Sequence, residues 1–332
     1  MFRRKSWKLI SLLLAIMIVS AACGGSAEEE SMELTVALSS PHVWIQPVIA
    51  ECQGYYEEVG VDVEHVRFTS GRAAMDALIG GQAEIATTAI SPVIFAAFQE
   101  QPMAILAENA RFLDEKITAR VESGIAEPAD LEGKKIGVTL GSDVHYFLYL
   151  YLEYAGLTVE DVDVVNLGPA DMVISLVNGD VDAFASWRPQ PDNAKAEMGD
   201  GAIFLTQPDP PIFESLYLIV GMEELVESNP EAYQRFMEAM VMADEYAAEN
   251  PQGATECVAA ASEVEVEAAE SLMAGYQFQI WLDQSMIEGS EKRAVFQLDN
   301  DLAPEGAAMP DFRTFIAEGP LESVDADRVS LD

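Results

Sequence analysis

The chain has 332 residues, half of them hydrophobic, and a formal net charge of −39 at pH 7. The length predicts two domains, and the apolar content disfavours general disorder. The acidic excess rules against a nucleic-acid-binding protein, which needs a basic face, and against attraction to anionic lipid by charge. Because salt screens repulsion between acidic residues, the charge predicts a salt-loving source, with an ordinary acidic protein as the alternative.

The first 22 residues have the pattern of a secretion signal peptide. Four basic residues precede an apolar run over residues 9–19, and small residues 20–22 precede Cys23. A small-residue site followed by cysteine resembles the lipobox of bacterial lipoproteins, which implies a lipid on Cys23. Plain signal-peptidase cleavage at the same bond is the alternative. Residues 23–32 are predicted to be a flexible tether. Cleavage removes four basic residues and no acidic one, so the net charge becomes −43.

The following segment contains a strand–helix pattern that occurs twice. Strands are predicted at 34–38, 61–68 and 83–87, with helices at 43–58 and 72–79. About a hundred residues later, strands are predicted at 135–140, 162–167 and 181–186, with helices at 144–154 and 172–177. Because this period is far longer than that of stacked repeats, the pattern predicts two similar α/β lobes with mainly parallel sheets.

The rest of the chain is predicted to be mainly helical. Strands are predicted at 202–206 and 216–220, and the pattern after Pro230 is helical. Residues beyond Gly289 are less regular and are predicted to form a tail over the lobes. Cys52 and Cys257 have no metal or redox spacing, so two buried thiols are expected, with a disulfide as the alternative.

Common catalytic motifs are absent from the sequence. There is no phosphate-binding loop, dinucleotide-binding glycine pattern, nucleophile elbow or HExxH motif. Histidine occurs at positions 42, 65 and 145 alone, and no Cys/His cluster has zinc spacing. No metal or cofactor is therefore predicted.

Small polar residues follow the predicted strands of both lobes. In open α/β sheets, ligands bind beyond the carboxyl ends of strands, close to helix N-termini. Each of these residues could instead cap a helix. Trp44, Trp187 and Phe213 are candidates for the apolar walls of a cleft, or for core residues. Arg188 is a candidate clamp for an acidic group of a ligand, or a member of a surface ion pair.

Three stretches together point to a known family. They are residues 60–85 with Ser70-Gly71 and the run ALIGGQAEI, residues 129–142 with ADLEGKKIGV followed by Gly-Ser, and residues 181–189. This set resembles the solute-binding proteins of ABC importers for nitrate, taurine, alkanesulfonates and pyrimidine precursors, over about residues 34–250. The resemblance implies an α/β type II periplasmic-binding-protein fold with two α/β lobes and a two-strand hinge. Lobe I would comprise residues 33–115 and 216–332, and lobe II residues 116–215.

The resemblance also implies a function and a site. The expected protein is a lipid-anchored monomer outside the cytoplasm that closes on a small sulfonate-, carboxylate- or pyrimidine-type solute and delivers it to a permease and an ATPase. A hypothetical zwitterion such as taurine would direct its acidic group at Arg188 and its amine at Asp143. The alternatives are an enzyme with His42 and Asp143 as acid and base, or a sensor module. The implied ligand contacts are Ser39, Ser40, His42, Ser70, Gly71, Thr87, Thr88, Gly141, Ser142, Asp143, His145, Trp187 and Arg188.

Overall fold

The computed structural model describes residues 32–331. The predicted signal peptide, Cys23 and most of the predicted tether lie outside the described residues. The first strand begins at Met32, one residue before the predicted start of lobe I. None of the described helices has the length and apolar character needed to cross a membrane.

The described residues contain two β-sheets. Their strands in chain order are β1 Met32–Leu38, β2 Val61–Arg67, β3 Ile85–Ala89, β4 Met103–Phe112, β5 Lys116–Arg120, β6 Lys135–Val138, β7 Asp163–Asn166, β8 Ala183–Ala185, β9 Ala202–Thr206, β10 Ser215–Met222, β11 Tyr276–Asp283 and β12 Val329–Ser330. One sheet has seven strands in the order β12-β11-β4-β10-β3-β1-β2, and the other has five in the order β7-β6-β8-β5-β9. We call the layers built on these sheets lobe I and lobe II.

Helices connect the strands of both lobes. The α-helices are α1 Ile45–Gln53, α2 Tyr55–Val59, α3 Gly71–Ile79, α4 Ile90–Phe98, α5 Asp143–Tyr154, α6 Pro169–Asn178, α7 Gln190–Met198, α8 Glu223–Ser228, α9 Pro230–Glu249, α10 Pro251–Ser262, α11 Val266–Met273, α12 Gln284–Asp299 and α13 Glu318–Glu322. Short 3-10 helices lie at Val121–Ser123, Pro128–Leu131, Val159–Asp161, Gly199–Gly201, Phe312–Phe315 and Ala326–Arg328.

The repeated strand–helix pattern has the same topology in the two lobes. In lobe I, β1 lies between β2 and β3, and both pairings are parallel. In lobe II, β6 lies between β7 and β8, again with parallel pairing. Other strands extend each sheet in antiparallel pairing, β10, β4 and β11 in lobe I and β5 and β9 in lobe II, and β12 pairs in parallel with β11 at the edge of lobe I. This is the periplasmic-binding-protein architecture that the family resemblance implies.

The chain crosses between the two lobes at two short segments. Residues 113–115 connect β4 to β5, and residues 207–214 connect β9 to β10. The crossings are bonded to each other, because the Gln207 side-chain amide donates to the Leu113 carbonyl at 2.8 Å. Each lobe also has its own apolar core: Val36, Leu106 and Phe236 belong to the cluster of lobe I, and Ile136 and Phe147 to one in lobe II. This arrangement provides the two-strand hinge of the fold.

Several predicted elements need correction. The single helix predicted at 43–58 is two helices, α1 and α2, separated by a turn at Gly54. The region after Pro230, predicted to be helical, contains the strand β11. Helix α12 continues through Gly289, where the prediction placed an irregular tail. Strands β4 and β5 were not predicted at all, although both pair within the sheets.

The two cysteines form a disulfide between α1 and α10. The Cα atoms of Cys52 and Cys257 lie 5.9 Å apart, and the residues are 205 positions apart in the chain. Cys257 is buried, whereas Cys52 is exposed. The expectation of two buried thiols is therefore wrong. A bond between such distant residues restricts the unfolded chain and should stabilise lobe I.

Candidate functional site

A cavity of about 70 Å³ lies between the two lobes. One water needs roughly 10–15 Å³, so this cavity has room for a small solute or a few waters. Both lobes and the first crossing segment contribute to its wall. The lining residues are Ser39, Ser40, Val43, Trp44, Ser70, Gly71, Arg72, Ala89, Pro92, Glu115, Thr139, Ser142, Asp143, Val144, Trp187, Ser215 and Tyr217.

The turn after β1 supplies one wall. The backbone N–H of Ser39 donates to Thr87 Oγ1 at 3.3 Å, and the Ser39 hydroxyl accepts from the Trp44 indole N–H at 2.8 Å. The Trp44 ring packs edge-on against Tyr217, with ring centroids 5.6 Å apart. These contacts fix a polar turn beside two aromatic rings.

The start of α3 supplies the next part of the wall. Ser70 caps the helix, since its hydroxyl accepts from the Ala73 backbone N–H at 3.2 Å. Gly71 allows the helix to approach β3 closely, because a Cβ there would lie 2.9 Å from the Cα of Thr88. Arg72 follows, with a half-exposed side chain and its guanidinium over the Phe95 ring. A helix N-terminus and a guanidinium therefore border the cavity together, a combination that attracts anionic groups.

Lobe II places the N-terminus of α5 opposite α3. Gly141 precedes it with a φ of 77°, and a Cβ at this position would lie 3.0 Å from the Arg72 guanidinium of lobe I. A glycine therefore allows the two lobes to meet here. The Ser142 hydroxyl donates to the Thr139 carbonyl at 2.6 Å. Trp187, half-buried, completes the wall.

Asp143 faces the cavity but is already fully paired within the protein. Arg293 of α12 donates to its two carboxylate oxygens at 2.6 and 3.2 Å, and the Ser91 hydroxyl donates to it at 2.8 Å. The side chains of Asp143 and Arg293 are each 5% exposed. The Arg293 guanidinium also packs over the rings of Tyr146 and Phe213. Asp143 was predicted to hold a ligand amine, but in the structure both of its carboxylate oxygens accept from the Arg293 guanidinium of lobe I.

Glu115 is the second carboxyl group of the cavity wall. It follows β4 in the first crossing segment, is 3% exposed, and accepts from the Ser215 hydroxyl at 3.0 Å. Burial, with a smaller contribution from the nearby Asp143 carboxylate, raises its pKa to about 8, against the lowering effects of the Ser215 hydrogen bond and the Lys116 charge. The hydrogen bond thus joins the first crossing segment to the start of β10, on the wall of the cavity.

Of the predicted site residues, several line the cavity: Ser39, Ser40, Trp44, Ser70, Gly71, Ser142, Asp143 and Trp187. Others lie behind the wall. Thr87 is fully buried and its hydroxyl donates to the Ala37 carbonyl at 3.1 Å, while Thr88 packs under Gly71. Phe213 belongs to the core of lobe II.

The two histidines among the predicted contacts do not line the cavity. His42 is buried edge-on to Tyr276, and burial together with the Arg188 charge lowers its pKa to about 4. His145 is buried against Tyr149 and Phe296, and burial lowers its pKa to about 4 as well. Both rings are therefore neutral at pH 7, and their positions are those of packing residues.

Arg188 is also outside the cavity lining. It donates to the Ser271 carbonyl of α11, and its Nε lies 3.3 Å from Asp192. Because Ser271 belongs to lobe I and Arg188 to lobe II, the contact joins the lobes. The predicted ligand clamp is an inter-lobe contact, and the basic residue of the lining is Arg72.

The lining residues that the sequence did not predict include Arg72, Glu115, Ser215 and Tyr217. Arg72 could have been predicted, since it directly follows the predicted Ser70-Gly71 motif. Glu115 carried no such signal in a chain with 57 acidic residues. Within residues 32–331, no group of three or more His, Cys, Asp or Glu side chains is placed to hold a metal ion.

Comparison with known proteins identifies the family. The sequence pattern described as NMT1/THI5 like matches residues 44–254, more than half of the chain. The chain belongs to this family. It is 27% identical over 199 residues to the taurine-binding periplasmic protein of Escherichia coli, covering 59% of this chain and 61% of that protein. It is 26% identical over 260 residues to the formylaminopyrimidine-binding protein of Halalkalibacterium halodurans, covering 75% and 77%.

Solved structures of the same fold support the architecture. The periplasmic aliphatic sulphonate binding protein of Escherichia coli matches with a TM-score of 0.72 at 21% identity, covering 86% of this chain and 97% of that one. At this identity the match establishes the fold. The chain spans 65% of the length of several Brucella binding proteins that it matches at 28% identity.

Proposed function

We propose that this protein captures a small polar solute outside the cytoplasm and delivers it to the permease and ATPase of an ABC importer. The observation that carries the proposal is a cavity walled by both lobes at the hinge. A solute held there contacts both lobes and so stabilises the closed arrangement over an open one. A permease that recognises the closed form would then receive loaded protein.

The solute class follows from the wall chemistry and from the relatives. Serine hydroxyls, the α3 N-terminus and Arg72 favour an acidic group such as a sulfonate or carboxylate. Trp44, Trp187 and Tyr217 favour a flat or apolar portion, as in a pyrimidine. Relatives named for taurine and formylaminopyrimidine binding support both possibilities. We therefore propose a sulfonate-, carboxylate- or pyrimidine-type solute, and no catalytic step.

A screen of purified protein by thermal shift tests this function. The panel is taurine, ethanesulfonate, nitrate, amino acids, pyrimidine and 4-aminopyrimidine. A solute at a hundred times its Kd stabilises the fold by about 2.7 kcal/mol, a readily measured shift in Tm. Trp187→Ala should abolish the shift, whereas Trp281→Ala, at a tryptophan outside the cavity lining, should retain it. The absence of any shift across the panel would contradict the proposal.

The location outside the cytoplasm rests on residues 1–23. We propose that Cys23 carries lipid and anchors the protein to the membrane, since the basic, apolar and small-residue segments precede it in that order. A lipid with more than one acyl chain holds a protein stably at a bilayer. Cys23→Ser should move the protein from the membrane fraction to the soluble fraction. Unchanged membrane association of the variant would rule out lipidation at this residue.

A further inference from the structure

Glu115 lines the cavity and has no ion-pair partner among residues 32–331. Its carboxyl group accepts one hydrogen bond, from Ser215. Among residues 32–331, no basic side chain forms an ion pair with it within 4 Å. Lys116, its neighbour in sequence, turns to Asp114 at 2.7 Å and lies over the Phe204 ring. The carboxyl group therefore has spare acceptor capacity directed at the site.

Most of the other groups around Glu115 disfavour its ionised form. Asp143 of α5 contributes a negative charge, although Arg293 pairs with it. Tyr217 of β10 and Tyr276 of β11 are buried phenols whose own pKa values are raised by burial and, further, by the Glu115 charge. Asp114 repels Glu115 from the same crossing segment, and Lys116 attracts it. Apart from Lys116, these neighbours are acidic or neutral.

A buried carboxyl group in such surroundings is costly to ionise. Consistent with that cost, burial raises the pKa of Glu115 to about 8, so the group is mainly protonated in an empty cavity at pH 7. A solute with a positively charged nitrogen would instead favour the ionised form of Glu115. It would donate a charge-assisted hydrogen bond to the carboxylate, which is about twice as strong as a bond between neutral groups.

We propose that Glu115 selects the solute by requiring a nitrogen-bound proton, and that acidic solutes without such a nitrogen are rejected. This inference rests on the proposed function, because it concerns the same cavity. The acidic part of a taurine-type solute would lie toward Arg72 and α3, and its ammonium group toward Glu115. Glu115 lies in the first crossing segment and is bonded to Ser215 at the start of β10, so recognition of the solute takes place at the hinge.

Binding of a cation at Glu115 is coupled to the release of a proton. The protonated carboxyl group releases its proton to the solvent and the resulting carboxylate accepts the ammonium N–H. Affinity for taurine should therefore rise from pH 6 to pH 8 by up to about tenfold per pH unit. Calorimetry at pH 7 in phosphate and in Tris should show release of close to one proton per bound taurine.

Matched probes test the selection directly. Taurine and ethanesulfonate share the sulfonate but differ in the nitrogen, and 4-aminopyrimidine and pyrimidine differ in one amino group. We expect the amino-bearing member of at least one pair to bind ten times or more tightly than its partner. Equal or tighter binding of both members that lack an N–H group would overturn the inference and leave the proposed function standing. Failure of every probe to bind would overturn both.

Glu115→Gln completes the test with Asp114→Asn as the matched control. The glutamine retains an acceptor for Ser215 but lacks the charge, so the preference for the amino-bearing probe and the pH dependence should both fall to near zero. Asp114 is exposed and outside the cavity lining, and its charge is the smallest of those that raise the Glu115 pKa, so its variant should keep both the preference and the pH dependence. A preference that survives in folded Glu115→Gln would overturn the inference. Should that variant not fold, the proton release measured on the wild type decides the question.

Discussion

Two buried carboxyl groups face the same cavity, yet their surroundings are opposite. Asp143 has the bidentate Arg293 guanidinium and the Ser91 hydroxyl. Glu115 has the Ser215 hydroxyl alone among close side-chain partners in the described residues. Both side chains are almost completely excluded from solvent. A position on the cavity wall therefore does not by itself make a carboxylate available to a ligand.

Asp143, the paired carboxylate, contacts residues of the other lobe. Asp143 belongs to α5 of lobe II, whereas Arg293 and Ser91 belong to α12 and α4 of lobe I. The ion pair therefore joins the lobes next to the cavity. Phe296, one turn further along α12, packs against Tyr146 and Tyr149 of α5 and extends the same contact. Asp143 thus contributes to closure of the lobes, whereas Glu115 has no ion-pair partner and can accept a hydrogen bond from a solute.

Removing the cation from the paired group should have the largest effect. Arg293→Met retains the apolar packing over Tyr146 and Phe213 but leaves Asp143 buried without its counter-ion. Breaking a buried ion pair in this way typically costs about 3–5 kcal/mol. We expect a loss of that size in the free energy of unfolding, measured by urea denaturation.

The double variant Arg293→Met/Asp143→Asn is the control for this prediction. It removes both charges, so much of the lost stability should return. A single-variant cost below about 1 kcal/mol would mean that Asp143 does not depend on Arg293, and the contrast between the two carboxyl groups would disappear.

Removing the unpaired carboxyl group of Glu115 should instead raise the free energy of unfolding. The pKa of Glu115 is raised from 4.5 to about 8 in the folded protein, so the folded state binds more protons than the unfolded state between these values. Stability from this group is therefore present at low pH and falls as pH rises toward 8. Glu115→Gln should be more stable than the wild type by about 1–3 kcal/mol at pH 8, and by little at pH 4.5.

Thermal unfolding of the wild type, Glu115→Gln and Asp114→Asn across pH 4.5–8.5 measures this difference. Asp114 is half-exposed and bonded to Lys116, so its variant should show no such growth with pH. A Glu115→Gln advantage that stays constant with pH would show that Glu115 titrates in the fold as it does in the unfolded chain, so that burial does not disfavour its ionised form.

The sequence predicted the fold well where elements are local and end at glycines. The repeated strands of both lobes and helices α3 and α6 occur at the predicted places. Strand β11 was missed although its signal is present: Tyr276, Phe278, Ile280 and Leu282 alternate with polar or larger residues. This period of two is typical of a strand, and the preceding helical stretch obscured it.

The site was less predictable, because its chemistry depends on contacts between distant residues. Serines and glycines at strand ends could be placed on the cavity wall from topology alone. The partner of Asp143 is 150 residues away in the chain, and the partner of Glu115 is 100 residues away. A local sequence pattern cannot predict contacts between residues so far apart in the chain. The place of Arg188 at a strand end predicted a ligand contact, whereas the structure bonds it to the Ser271 carbonyl of lobe I, 83 residues away in the chain.

Salt should affect the exposed acidic residues and leave the two buried carboxyl groups almost unchanged. The net charge of −39 is carried mainly at the surface, where ions screen repulsion over about 3 Å at 1 M. We expect the stability to rise by about 1 kcal/mol or more between 0.1 and 1 M NaCl, measured as Tm. Sucrose at equal osmolality separates screening from solute exclusion. A flat or falling curve in NaCl would remove the salt-adaptation hypothesis.

The smallest expected effect concerns Arg188 and separates an inter-lobe contact from a ligand clamp. Arg188 joins lobe II to the Ser271 carbonyl of lobe I and does not line the cavity. Its loss should weaken closure and so reduce affinity for every solute by the same small factor, about two- to fivefold. A clamp on an acidic group would instead cost tenfold to a hundredfold, and for anionic solutes alone. Calorimetric titration of Arg188→Ala with taurine and with 4-aminopyrimidine distinguishes the two. A large loss confined to taurine would restore Arg188 to the binding site and displace Arg72 from that role.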